Sequence, residues 1–170
     1  MDLLLTVIAR TPPWVWVVLV IVLFIGIRGL RPQRASPVRL LITPAVFVAV
    51  ALGQLVASPD PLAVLPAWLA GMVPGAAIGA VWARGLPVRI DRAAGRIETP
   101  GSAFWLVVGM LLFGCRYALG VYVGFHPELR GDPFWLAAPF VVAGVGTGMA
   151  LAWAAMRLAR YFRDSSPRLA

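Results

Sequence analysis

Five stretches of this chain run free of charge over lengths that match a lipid bilayer, and this constrains the fold more than any motif. They are Thr11 to Ile27, Leu40 to Pro59, Pro61 to Ala83, Thr99 to Cys115 continuing past one arginine to Phe125, and Pro133 to Met156. A bilayer's hydrocarbon core is about 30 Å thick and a helix rises about 1.5 Å per residue, so about 20 mostly apolar residues cross it. Backbone amides find no water in lipid, so crossing segments are helices or strands of a closed barrel. Runs this continuous lack the alternation of barrel strands. The sequence therefore predicts an all-α transmembrane fold, a five-helix bundle forming a single integral membrane domain over 1–170. Its spans are expected at about 11–30, 40–58, 61–83, 103–125 and 133–157. The first is the shortest, extended by snorkelling of Arg28. Composition agrees: 61% of residues are hydrophobic and 13% charged, against about 25% charged in a soluble domain.

Charge then orients the bundle. The 15 basic residues are all arginine and outnumber seven acids, for a net charge of +8. Arg28, Arg31, Arg34 and Arg39 fall in the first connection, Arg84, Arg89, Arg92 and Arg96 in the third, and Arg157, Arg160, Arg163 and Arg168 in the tail. Only Arg10 and Arg130 fall on the other side. Cytoplasmic flanks carry the excess of positive charge, so the N-terminus is expected outside and the C-terminus inside. A cytoplasmic basic surface is expected at Arg28, Arg31, Arg34, Arg39, Arg89, Arg92, Arg96, Arg157 and Arg160. It either fixes topology alone or also meets anionic headgroups or a partner. Trp14, Trp16, Phe125, Phe134 and Trp135 near outer ends, and Trp82, Trp105, Tyr161 and Phe162 near inner ends, form an aromatic belt. The opening MDLLLTVIAR is too short to span and reads as an interfacial helix, with a cleavable signal as the alternative.

Between the third and fourth spans, at about 87–101, β-prone Val88 and Ile90 precede Ala93-Ala94-Gly95, and Arg96-Ile97-Glu98 follows. This predicts a small cytoplasmic β-hairpin, resting on lipid or on the first cytoplasmic loop because two strands alone are marginally stable. That first loop, RGLRPQRASPVR, is broken by proline and reads as a connector. The tail RLARYFRD continues the last helix into the headgroup region.

Small residues predict the packing. Gly71, Gly75 and Gly79 recur every fourth residue on the third span, and Gly144, Gly148 and Ala152 on the fifth. Such stripes let helix backbones approach closely, within one chain as the favoured reading or between subunits. Pro44, Pro66, Pro74 and Pro139 lie inside the expected spans and can kink them.

Few polar groups lie at depth: Thr43, Gln54, Cys115, Arg116 and Thr147. Arg116 is the informative one, about 13 Å of helix from Phe125. A charge there costs several kcal/mol unless it is solvated or paired. It shares a face with Gly109, Phe113, Gly120 and Gly124, which suggests a close-packed inward side. The guanidinium then bonds Gln54, a carbonyl opened by a proline kink, or an anionic ligand. Outward snorkelling is the competing reading. Arg116, Gln54 and Tyr117 form the candidate ligand site. Cys115 reads as a buried apolar filler and His126 as a solvated loop residue.

No catalytic residue is assigned. No nucleophile is set beside a general base, no acids cluster for a metal, and phosphate-loop and dinucleotide fingerprints are absent. The expectation is a protein that is not an enzyme, with no cofactor and no metal. Its partners would be the lipid bilayer and anionic phospholipids, with no nucleic acid; a homo-oligomer or a membrane-protein partner is open. The alternatives are a small oligomeric transporter or channel, and an accessory subunit of a larger membrane complex.

The opening RTPPWVWVVLVIVLFIGIRGLRP, the segment IDRAAGRIETPGS and the stretch FGCRYALGVYVGFHPEL together resemble a family of small bacterial multi-pass inner-membrane proteins of unknown function. Thr11, Pro12, Trp14, Trp16, Arg31 and Pro32 match its aromatic first helix and basic end, and Arg116 with Tyr117 its basic residue before tyrosine. The resemblance spans nearly the whole chain. It implies the bacterial inner membrane as location and brings no reaction or ligand.

Overall fold

The computed structural model describes residues 11, 13–31, 33–35, 40–85, 89–91, 96–99 and 101–164, excepting the side chains of Trp14, Asp164 and the strand residues. The expected N-terminal helix, Arg39, Arg92 and the turn at Gly95 lie outside these residues.

Five helices carry the fold: α1 (Pro13–Gly29), α2 (Ile42–Val56), α3 (Pro61–Gly85), α4 (Phe104–Phe125) and α5 (Pro133–Asp164). Three of them, α3, α4 and α5, are long and apolar enough to cross a membrane, which marks the chain as a multi-pass membrane protein. The other two are apolar but shorter than the spans read from sequence, at 17 and 15 residues. Chain punctuation accounts for this. Pro13 opens α1 where its missing N–H costs nothing, and Ser58-Pro59 follows the end of α2. Pro44 sits in the first turn of α2, among donors with no helical partner, and not in the span interior where the sequence placed it. Pro66, Pro74 and Pro139 are truly interior.

The connections at one end form a small sheet. Strand β2 (Arg89–Asp91) pairs antiparallel with β3 (Arg96–Thr99), with Ile90 opposite Ile97. Strand β1 (Gln33–Ala35), from the segment read only as a connector, pairs along the other edge of β3, with Arg34 opposite Glu98. The third strand supplies the ladder that a two-stranded ribbon lacks. The N–H of Ser102 then donates to the carbonyl of Gly29 at 2.8 Å, tying the start of α4 to the end of α1.

Close contacts give every helix its direction. Gly26 lies against Leu106 and Gly109 against Val22, so α1 and α4 run antiparallel. Gly146 meets Phe47, and Leu40 packs with Trp153, so α2 and α5 are also antiparallel. Helices α3 and α5 run parallel, backbone against backbone. A Cβ added to Gly75 would lie 2.8 Å from the carbonyl carbon of Val145, and one on Gly148 would lie 2.8 Å from that of Met72. Gly71, Gly79 and Gly144 meet Val141, Met149 and Trp68 in the same way. The two glycine stripes thus pack on each other within one chain, replacing side chains with backbone contact. Buried Thr147 is satisfied by its own helix, donating to the carbonyl of Ala143 at 2.8 Å.

This alternation brings the ends of α1, α3 and α5, and all three strands, to one arginine-rich end. Trp82 stacks on Phe104 at 4.2 Å there, and Trp105 packs edge-to-face with Trp153 at 5.4 Å, beside buried Leu40, Ala83 and Ala154. Arg157 does not belong to the basic surface expected of it. It is 1% exposed, with its guanidinium 4.3 Å above the ring of Trp153, because the α5 face that buries Trp153 and Ala154 continues one turn into the tail. Arg160 donates to the carbonyl of Arg84 at 3.1 Å, joining the ends of α5 and α3. Arg28 and Arg31 are exposed as expected, and the side chains of Arg34, Arg89 and Arg96 lie outside the described set.

Candidate functional site

Toward the other end, α1, α2, α4 and α5 line a half-open cavity of about 430 Å³ with mainly apolar walls. Each helix contributes at helical spacing. Val15 and Val18 come from α1, Val50 and Gln54 from α2, and Phe113, Arg116, Tyr117, Gly120 and Gly124 from α4, while α5 presents Pro139. Side chains three and four residues apart share a helix face, so these spacings turn one stripe of each helix inward.

Arg116 is half-buried and donates from Nη1 to the carbonyl oxygen of Pro139 at 2.8 Å. This is one of the partners the sequence offered, with a difference. The carbonyl used is the proline's own, whereas the one deprived of a helical donor by the missing proline N–H belongs to Trp135, a turn earlier. Arg116 does not bond Gln54. The buried Oε1 of Gln54 has no hydrogen-bond partner among the described residues. The hydroxyls of Tyr117 and Thr11 are 2.7 Å apart, fastening the segment before α1 to α4. The three residues named from sequence, Arg116, Gln54 and Tyr117, therefore line one cavity.

The charge balance of the site is plain. Among the described residues no carboxylate lines it, and Arg116 supplies a planar fork of N–H donors of which one is held by Pro139. Such a group in an apolar wall is suited to a carboxylate or a phosphate through short charge-assisted hydrogen bonds. Among the described residues no group of three histidine, cysteine or acidic side chains is placed to hold a metal ion.

Two expectations about α4 are corrected. Gly120 and Gly124 do not mark a close-packed face: a Cβ on either would meet nothing within 4 Å, because both border the cavity. Cys115 is exposed rather than buried, since it sits one residue from Arg116 and turns about 100° away from the inward face. His126 stacks on Tyr122 at 4.4 Å, and its Nδ1 is 3.0 Å from the carbonyl oxygen of Tyr122.

Thr11 was not singled out as a site residue from the sequence. Its signal was the spacing Thr11, Val15, Val18, which places a hydroxyl on the stripe that α1 turns to the cavity. The role of the Pro139 carbonyl carries no residue-type signal at all, because any residue supplies one.

No curated protein matches the chain, and no solved structure does. A family model does match, over residues 1–169, and the chain belongs to that family, the family of unknown function DUF6622.

Proposed function

We propose that this protein is a non-enzymatic component of the bacterial inner membrane that holds an anionic group at Arg116, the group being an anionic lipid headgroup or a small acid. It crosses the bilayer five times, with the N-terminus outside, and the sheet, the arginine-rich end and the C-terminus inside. Support for the orientation comes from the arginines at the ends of α1, α3 and α5. The short helices α1 and α2 cross by local thinning of the bilayer and by snorkelling of flanking side chains such as Arg28. The cytoplasmic arginines, among them Arg28, Arg31 and Arg160, meet anionic phospholipids, each charge near the surface contributing about 1 kcal/mol.

One observation carries the reading of the site. Among the described residues, a guanidinium sits in an apolar cavity with no carboxylate in its walls and with one hydrogen bond, to a carbonyl oxygen. A charge at that depth is costly unless something solvates or neutralises it.

The test is intact-complex mass spectrometry of protein extracted in mild detergent. The wild-type chain is expected to retain an acidic adduct that Arg116→Leu lacks, with both proteins folded by circular dichroism. Identical adducts on the two proteins, or none on either, contradict the reading.

A further inference from the structure

We infer that the Arg116 site is a one-ended vestibule that takes its anion from the outer side of the membrane alone, because the four helices that line it close together on the inner side. The inference rests on the anion reading and the orientation above, and adds where the ligand comes from. That ligand is an anion of the outer compartment, free in water or carried on the headgroup of an outer-leaflet lipid.

The lining residues all fall in one half of their helices. Among the described residues, α1 contributes none beyond Val18, α2 none before Val50, α4 none before Phe113 and α5 none beyond Pro139. Helices α1 and α5 begin at the end away from the arginines, and α2 and α4 finish there. The four limits therefore agree, and the cavity stops short of the arginine-rich half. On α4 its wall runs from Phe113 to Phe125, about 18 Å of helix. That wall reaches the last turn, where Gly124 and Phe125 are exposed.

Inward of Phe113 the space is filled. Gly146 of α5 is buried, and a Cβ there would lie 3.0 Å from Phe47 of α2 and 3.1 Å from Leu112 of α4. Three helices thus meet where one of them has no side chain, and large side chains of the other two take the room. The fourth helix closes on the same floor one turn further in, where a Cβ on Gly109 of α4 would lie 2.9 Å from Val22 of α1. Behind these, the rings of Phe47 and Trp105 are 6.2 Å apart, and Trp105 packs on Trp153.

This floor decides the direction of access. An anion leaving Arg116 inward would exchange its hydrogen bonds for Leu112, Phe47 and Val22, which offer none, and a bare charge in apolar surroundings is costly. Outward, the α4 wall passes Gly120 and Gly124, where a Cβ would meet nothing within 4 Å. The site is thus arranged as an outward-facing receptor and not as a through-path.

The test uses the full chain in a Cys115→Ala background with single cysteines, Gly120→Cys in the vestibule and Leu112→Cys or Val22→Cys in the floor. A membrane-impermeant anionic thiosulfonate is expected to label Gly120→Cys in spheroplasts and not in inverted membrane vesicles. The two floor cysteines should stay unlabelled in both until the protein is denatured. With rates normalised to a free thiol, the anionic reagent should outpace a cationic one of the same size at Gly120→Cys by about tenfold, and Arg116→Gln should abolish that preference. In phosphatidylcholine vesicles, slowing of the label by external inorganic phosphate identifies a free anion as the ligand. Slowing only when phosphatidylglycerol is included identifies a headgroup. Labelling of Gly120→Cys from the inner side, no labelling of it from the outer side, or labelling of both floor cysteines in the folded protein overturns the one-ended site and leaves the anion reading standing. A label with no charge preference, or one that neither phosphate nor phosphatidylglycerol slows, contradicts the anion reading instead.

Discussion

Arg116 on α4 donates to the carbonyl oxygen of Pro139 on α5 at 2.8 Å, and this bond is the polar tie between the two helices at the level of the cavity. Its energetic role is separable from any ligand role. Removing a hydrogen bond to a charged group costs about 1.5–3 kcal/mol, whereas removing a charge from an apolar setting returns part of its desolvation penalty.

Arg116→Met is therefore expected to change the unfolding free energy in detergent by no more than about 1.5 kcal/mol, the bond and the burial cost offsetting each other. Urea unfolding followed by tryptophan fluorescence measures this. A loss well beyond that range would make Arg116 a structural keystone and not a free binding group.

The α3–α5 contact has no such slack. At Gly75 and Gly148 an added Cβ falls within 3 Å of backbone carbon on the partner helix, which has no rotamer by which to yield. Gly75→Val and Gly148→Val are each expected to cost about 1–3 kcal/mol or more through overpacking. Gly53→Ala and Gly114→Ala, where nothing lies within 4 Å, are expected to be neutral or stabilising by about 0.4–1 kcal/mol. Thermal unfolding of the four variants checks the contrast, and equal effects at all four positions would show that the two helices do not meet at their glycines.

At the arginine-rich end, Trp153 is 7% exposed, packs edge-to-face with Trp105 and lies under the Arg157 guanidinium. Trp153→Ala is expected to destabilise the bundle by about 3–5 kcal/mol. Trp153→Phe keeps an aromatic face for both neighbours and is expected to lose less than half as much. Unfolding temperatures in one detergent measure both, and similar losses for the two variants would make the aromatic contacts irrelevant.

The sequence made some of this legible for physical reasons that its own gaps confirm. Continuous apolar runs leave little choice but helices, and four-residue glycine spacing on α3 and α5 led to a contact found within the chain. Arg116, Gln54 and Tyr117 were findable because polar groups at depth are few, so each one stands out. The same glycine rule misled at Gly120 and Gly124, since spacing reports that a helix face is thin but not whether another backbone or an open space lies beyond it. Arg157 was misread because a charge next to a tail looks solvated in one dimension, while α5 keeps its buried face one turn further. The third strand was illegible because pairing between Arg34 and Glu98 depends on two connections meeting in space.

The central claim is that all five helices cross the membrane and leave twelve of the 15 arginines on one side, and the two short helices are where it is most exposed. In a Cys115→Ala background, single cysteines at Arg31, Asp60, Arg84 and Glu128 can be labelled in whole cells with a membrane-impermeant maleimide, with the outer membrane opened. The account predicts labelling at Asp60 and Glu128 without further treatment, and at Arg31 and Arg84 only after the inner membrane is breached. Labelling of Arg31 and Asp60 from the same side would mean that α2 does not cross, and would contradict it.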